Sequence, residues 1–343
     1  MTGAMVPYGG AGVLRPVGWA LLLTALALFG VPALVDGSML VLLAPVPALG
    51  LVAVGVTVLT GRAGLPSLGQ AAPYAVGAYT SALLGRAGLD TGPLQAAAAA
   101  LAAALFALLT GPVVARTRGV TALMTTLALG ELTATAAARW STLTGGSDGL
   151  AGIPPVRLPW DAAPLTGDTD VFRYAVAVAA CAVTATVLAL RSPVGLLLAG
   201  CRDHEARMLA DGHRVGRVLV GAQVWAGALA GLGGHLLVAV QRYVSPADVG
   251  FTTSSLALLA AVLGGAASPL GALAGAALVL TTRDQLAAPW PGHGPLLLGG
   301  LFVAAVYLLP RGLAGVRPPR LPHPRRPAAA GRPPRPNPPE AGP

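Results

Sequence analysis

The chain alternates long apolar runs with short polar connections. A helix needs about 20 mostly apolar residues to cross a hydrocarbon core. Such runs occupy residues 17–35, 38–60, 67–85, 94–115, 120–138, 172–190, 217–240, 254–283 and 294–310, and nothing between them is long enough for a globular domain. The pattern predicts an all-α, polytopic transmembrane helical bundle of about 8–10 spans. Residues 17–35 have a basic flank at Arg15, like a signal peptide, but an equally apolar run starts at Ser38 with no small-residue cleavage site between. They are read as the first span.

The connections carry the sidedness signal. Residues 139–171 hold Asp148, Asp161, Asp168 and Asp170, whereas 191–216 hold Arg191, Arg202, Arg207 and Arg214. Basic residues stay on the cytoplasmic side, which predicts 191–216, Arg116, Arg118 and the N-terminus inside and 139–171 outside. A single crossing at 254–283 would then leave the Arg-rich C-terminus outside. The stretch Gly264-Gly265-Ala266-Ala267-Ser268-Pro269-Leu270-Gly271 interrupts that segment. A broken or re-entrant segment there restores the parity, and its irregular backbone is a candidate for the translocation pathway. The alternative is a proline kink that serves only packing.

Composition sharpens this picture. Of 343 residues, 55% are hydrophobic and 10% charged, with mean hydropathy +0.71, against about a quarter charged in a soluble domain. The net charge of +9 is not spread over a face: residues 311–343 carry seven Arg against Glu340. That argues against nucleic acid as a partner and for anionic membrane lipid beside a cytoplasmic tail. The chain divides into a short N-terminus (1–16), a transmembrane domain (17–310) with a basic loop (191–216), and a tail (311–343) whose 11 prolines predict disorder. Gly227/Gly231 and Gly271/Gly275 are GxxxG pairs suited to close helix packing.

Some chemistry is excluded. All 22 basic residues are Arg, and a phosphate-binding G-x-x-x-x-G-K-[ST] loop needs a lysine, so any nucleotide that drives the protein is held by another chain. His204, His213, His235, His293 and His323 form no metal-ligand spacing, and no nucleophile elbow is present, so an enzyme is not expected. Cys181 and Cys201 are expected at different depths and unbridged. Glu131, in a span, is read as a cavity group, an interhelical hydrogen-bond partner, or a neutralised packed side chain. His235 is read as structural, near the outer boundary.

Several motifs resemble one family. Gly64-Leu65-Pro66-Ser67-Leu68-Gly69-Gln70-Ala71-Ala72-Pro73-Tyr74 with Gly77-Ala78-Tyr79, Thr126-Leu127-Ala128-Leu129-Gly130-Glu131, Leu143-Thr144-Gly145-Gly146-Ser147-Asp148-Gly149-Leu150, Ser192-Pro193-Val194-Gly195 with Arg202-Asp203-His204-Glu205 and Gly212, and Gly264-Gly265 through Gly271 occur in one order over residues 60–283. They resemble LivM-type permeases, the membrane subunits of branched-chain amino-acid ABC importers. The resemblance implies a multi-pass bacterial inner-membrane subunit that moves branched-chain amino acids or a similar small polar solute inward. It implies a second homologous permease, two ABC ATPase subunits that bind the ATP, and an extracytoplasmic solute-binding protein as partners. Arg202, Asp203, Glu205 and Gly212 would belong to the ATPase-coupling loop. Glu131, Thr126, Gly264, Gly265 and Gly271 would serve the pathway or its packing, and Thr144, Gly145, Gly146, Asp148 and Gly149 the outer loop. Arg207-Met208 stands where the family usually has an alanine pair, Asp211 and His213 flank Gly212, and Arg62 and Pro66 are also unusual. The alternatives are an ABC permease for urea, amides, sugars or nucleosides, and a stand-alone ion-coupled carrier.

Overall fold

In the computed structural model, residues 37–159, 163–265, 267–286 and 312–315 are described, with isolated positions between 296 and 307. The expected N-terminus and first span (1–35), most of the last span and nearly all of the tail lie outside them. The described residues form helices α1 (Gly37–Leu43), α2 (Val46–Val56), α3 (Ala71–Arg86), α4 (Gly92–Val114), α5 (Gly119–Arg139), α6 (Asp168–Arg191), α7 (Pro193–Asp203), α8 (Glu205–Ala210), α9 (Val215–Gln241), α10 (Phe251–Gly264) and α11 (Pro269–Thr281). No described residue lies in a β-strand; only isolated bridges such as Leu150 with Val244 occur. Among the described residues, six stretches are long and apolar enough to cross a membrane: Met39–Ala63, Gly92–Val114, Gly119–Arg139, Asp168–Arg191, Val215–Gln241 and Pro246–Gly264. The chain is an all-α, multi-pass membrane protein.

Helix α9 is the axis of the bundle, packing against α3, α4 and α2. Its glycines make this possible. A Cβ on Gly227 would lie 2.5 Å from the Ala107 Cβ, and Gly231 is pressed against Gly77 of α3 on one side and Ala99 and Ala103 of α4 on the other. Without side chains between them the backbones meet directly, and dispersion replaces the hydrophobic effect that lipid does not supply.

Two of the expected spans take a different form. The run at 67–85 is not helical from its start: a π-helical turn, Thr57–Ala63, ends at Gly64 with φ 71°, and helix resumes only at Ala71. Pro66 and two glycines break the helix while the surrounding leucines keep the run apolar. The segment at 254–283 is broken, as its glycines and proline predict, and α10 and α11 pack back to back through Gly264, Gly271 and Gly275. The hairpin tip is not at mid-depth, however. Ala267 accepts a hydrogen bond from Arg62 (3.2 Å), and Gly312 lies against Gly265, at the end of the bundle that holds the basic loop. The irregular backbone that packs inside the bundle is Leu65–Gln70.

Candidate functional site

The basic loop folds into two short helices. Ser192 caps α7 by accepting from the Val194 amide, with Pro193 in the first turn, where its missing N–H costs nothing. Leu198 and Cys201 on its inner face join Leu59, Leu65, Val215 and Leu219 in a separate apolar cluster at this end of the bundle. Helix α8 follows after His204 and closes with Gly212 in the left-handed region (φ 83°). The Gly212 amide donates to Leu209 and the His213 amide to Met208, a Schellman cap that needs glycine at that position. Met208 turns inward onto Gly200, whereas Arg207 and Leu209 are exposed.

Three arginine contacts tie this loop end together. Arg202 donates to the carbonyl of Gly61, and Gly64 seats on the Arg202 backbone. Arg62 reaches the hairpin tip. Arg118, at the start of α5, forms a two-pronged bond with Glu205 on α8, Nε to Oε2 at 2.9 Å and a terminal nitrogen to Oε1 at 2.5 Å. The Arg118 hydrogen bond holds the Glu205 carboxyl below the usual carboxylate range, and the same bond raises the guanidinium further. Asp203 is exposed, 4.0 Å from Arg202.

Above the loop, the irregular segment is satisfied by hydroxyls. Leu68 donates to Thr126 Oγ1 (3.1 Å), Gly69 to Ser67 Oγ (3.3 Å) and Ala71 to Ser254 Oγ (3.0 Å). Lipid cannot supply these partners, so protein hydroxyls must. Thr126 thus holds backbone of another element in place, and it also donates to Ala122 (2.9 Å). Gln70, fully buried, has both amide atoms without a hydrogen-bond partner among the described residues.

Glu131 is exposed on α5, with neither a hydrogen bond nor a cavity around it among the described residues. The buried face of α5 is a stripe of small residues, Ala122, Thr126, Gly130 and Ala137, laid against Gly69 and its neighbours. The outward face is mixed: Thr121, Ala128, Glu131, Thr135 and Arg139 are exposed beside Val120, Met124 and Leu132, with Thr125 half-buried. By contrast, α4 turns outward only apolar side chains, among them Leu101, Leu105, Leu109 and Val113. Glu131 is the one mid-span carboxylate among the described helices.

At the opposite end, Thr144 Oγ1 donates to the carbonyl of Ala137 (2.5 Å), and Gly145, Gly146 and Gly149 all have positive φ. Leu150 pairs with Val244, and Tyr243 donates to the Asp148 carbonyl (2.8 Å), which leaves the Asp148 side chain exposed. This loop, expected outside, is thus an ordered cover over the start of the α9–α10 connection. It is far from Gly264, Gly265 and Gly271, which sit at the loop end.

Sequence reasoning missed three features. Arg118 was assigned a side but no partner. Gln70 was read as helical. The partners of His235 are the third: it is 0% exposed, with Nδ1 2.8 Å from Ser81 Oγ and Nε2 2.8 Å from the Tyr174 hydroxyl. Its signal, Gly233-Gly234 ahead of a histidine, indicates close backbone approach around a polar group.

Comparison with known proteins gives the family. Residues 38–308 match the family described as branched-chain amino acid transport system, permease component. The chain is 31% identical over 289 residues to the high-affinity branched-chain amino acid transport system permease protein LivM of Escherichia coli K12, covering 78% of this chain and 68% of that one. It has the same identity and coverage against LivM of Salmonella typhimurium. No solved structure matches. With this match over most of its length, the chain belongs to the branched-chain amino acid transport system permease family.

Proposed function

We propose that this chain is one of two membrane subunits of an ABC importer that moves branched-chain amino acids or a similar small polar solute inward. A second homologous permease faces it, two ATPase subunits bind the ATP and dock on α7–α8, and an extracytoplasmic binding protein delivers solute. The loop end, with Arg116, Arg118, Arg202, Arg207 and Arg214, is cytoplasmic under the positive-inside rule, and the acidic outer loop, with Asp148, faces the binding protein.

The observation that carries this reading is the outward face of α5. A carboxylate at the centre of a lipid-facing helix costs about 2.5–3.5 kcal/mol on insertion scales. That cost is avoided if Thr121, Thr125, Glu131 and Thr135 line a hydrated path between two permeases, while the leucines of α4 face lipid. The apolar side of α8, Ala206, Leu209 and Ala210, is the docking face for the ATPase, rimmed by Arg207 and Asp211.

The test is uptake of radiolabelled leucine into proteoliposomes, with and without the ATPase subunits. Uptake that requires ATP inside the vesicle, and that drops in a stably folded Glu131→Gln variant, is the expected result. Gradient-driven uptake by this chain alone overturns the importer reading, and unaltered uptake by the glutamine variant removes Glu131 from the path.

A further inference from the structure

We infer that Arg118 is a positioning residue that couples the α7–α8 loop to α5, so that movement of the loop tilts α5 and displaces Glu131. The inference deepens the importer reading and rests on it.

Four observations lead there. First, the Arg118–Glu205 contact is fork to fork, which fixes orientation as well as distance and transmits both push and pull. Second, the same guanidinium donates to the carbonyls of Ala115 (2.6 Å) and Thr117 (2.8 Å), so it is rigidly part of the α4–α5 turn and not a free surface arm. Third, α5 is the least buried span: 22% of its apolar window is buried, against 72% in α9. A helix with few neighbours moves at the least cost in packing.

Fourth, the next anchor of α5 also leads back to the loop. Thr126 holds Leu68, and the segment containing Leu68 starts at Gly64, which rests on Arg202. At ~1.5 Å rise per residue, Arg118 lies ~12 Å below Thr126 and Glu131 ~7.5 Å above it. If Thr126 is the fulcrum, each ångström of shift at Arg118 swings Glu131 by ~0.6 Å the other way. Glycine at 130, where even an added Cβ would stay 3.9 Å from the Gly69 Cα, leaves room for that swing.

The experiment uses the transporter purified through a tag on this chain, with its second permease and ATPases, in proteoliposomes. Leucine uptake and ATP hydrolysis are measured together for wild type, Arg118→Glu, Glu205→Arg, the double exchange and Arg118→Lys. Each single reversal should cut uptake per ATP hydrolysed by roughly tenfold while ATPase subunits still co-purify, within the usual range of coupling between sites. The double exchange should restore at least half of it. Should a reversal block assembly, Arg118→Lys is the readout: it keeps the charge but not the fork, and uptake per ATP should still fall. ATP-driven wild-type uptake with no rescue by the exchange, or a lysine variant as well coupled as wild type, overturns the inference alone. Wild-type uptake that ignores ATP brings down the importer reading and the inference with it.

Discussion

Replacing His235 by leucine tests the polar chain buried inside the bundle. One tautomer satisfies every member: Tyr174 O–H donates to Nε2, Nδ1–H donates to Ser81 Oγ, Ser81 O–H donates to Gln95 Oε1 (3.3 Å), and Gln95 Nε2 donates to the Leu89 carbonyl (2.7 Å). Leucine fills most of the imidazole volume, so the loss is mainly one of hydrogen bonds. Ser81 keeps Gln95, whereas the Tyr174 hydroxyl is left with no described partner. One orphaned buried hydroxyl costs about 1–3 kcal/mol, and membrane proteins fall toward the low end of that range. Tyr174→Phe alone should cost a similar amount by orphaning Nε2. The double variant, having neither group, should cost less than the sum by about 1 kcal/mol. Reversible unfolding in mixed detergent–SDS micelles, followed by helicity, measures all three. Single variants as stable as wild type, or losses that add, would refute the hydrogen-bonded chain.

Three further outcomes follow from the packing and the loop. Gly77→Val should reduce stability by about 1–3 kcal/mol or prevent insertion, because the new side chain meets the Gly231 backbone; unfolding as above and membrane yield check it. Leu209→Glu, on a side chain 56% exposed, should leave the fold intact but abolish co-purification of the ATPase, whereas Met208→Ala should loosen the loop while association persists. A Leu209→Glu chain that still holds the ATPase would place docking elsewhere. The Glu205 pKa is lowered in the fold, so its bond contributes above the ordinary value of 4.5 and is lost as pH falls through the lowered pKa. For so exposed a pair the contribution is about 0.2–1 kcal/mol, and the stability gap between wild type and Glu205→Gln should close in acid and in high salt.

Much of the bundle was legible because lipid imposes length and apolarity on every span. The runs at 94–115, 120–138, 172–190 and 217–240 correspond to α4, α5, α6 and α9 with ends shifted by a few residues. Hydropathy cannot distinguish helix from irregular backbone, however. Leu65, Leu68, Ala71 and Ala72 read as span whether or not Gly64–Gln70 is helical, and what makes the break tolerable is Ser254, nearly two hundred residues away. The hairpin was legible in Gly264–Gly271, but its depth was not, since that depends on α10 starting at Phe251 after a short 3-10 turn. The exposure of Glu131 could have been read from the small-residue stripe at Ala122, Thr126, Gly130 and Ala137, which fixes the buried face of α5. The Arg118–Glu205 bond could not, because it joins residues 87 positions apart.

The exclusive use of arginine has a consequence beyond sidedness. Among the described residues a guanidinium donates to a backbone carbonyl of a distant loop or helix end at four places, Arg62 to Ala267, Arg86 to Ala151, Arg202 to Gly61 and Arg242 to Leu165, and Arg118 donates to Ala115 within its own turn. Carbonyls at helix ends have no partner within their helix, and at the membrane boundary water reaches them incompletely. An ammonium could meet one such group as a point charge. A guanidinium spreads five donors over a plane, so Arg118 reaches a carboxylate and two carbonyls at once. At the basic-loop end, Arg62, Arg118 and Arg202 are thus clasps for backbone as well as bearers of charge. At the loop end those clasps converge on α7–α8, where a partner's motion would be felt by α5, the π-helical turn and the hairpin tip together.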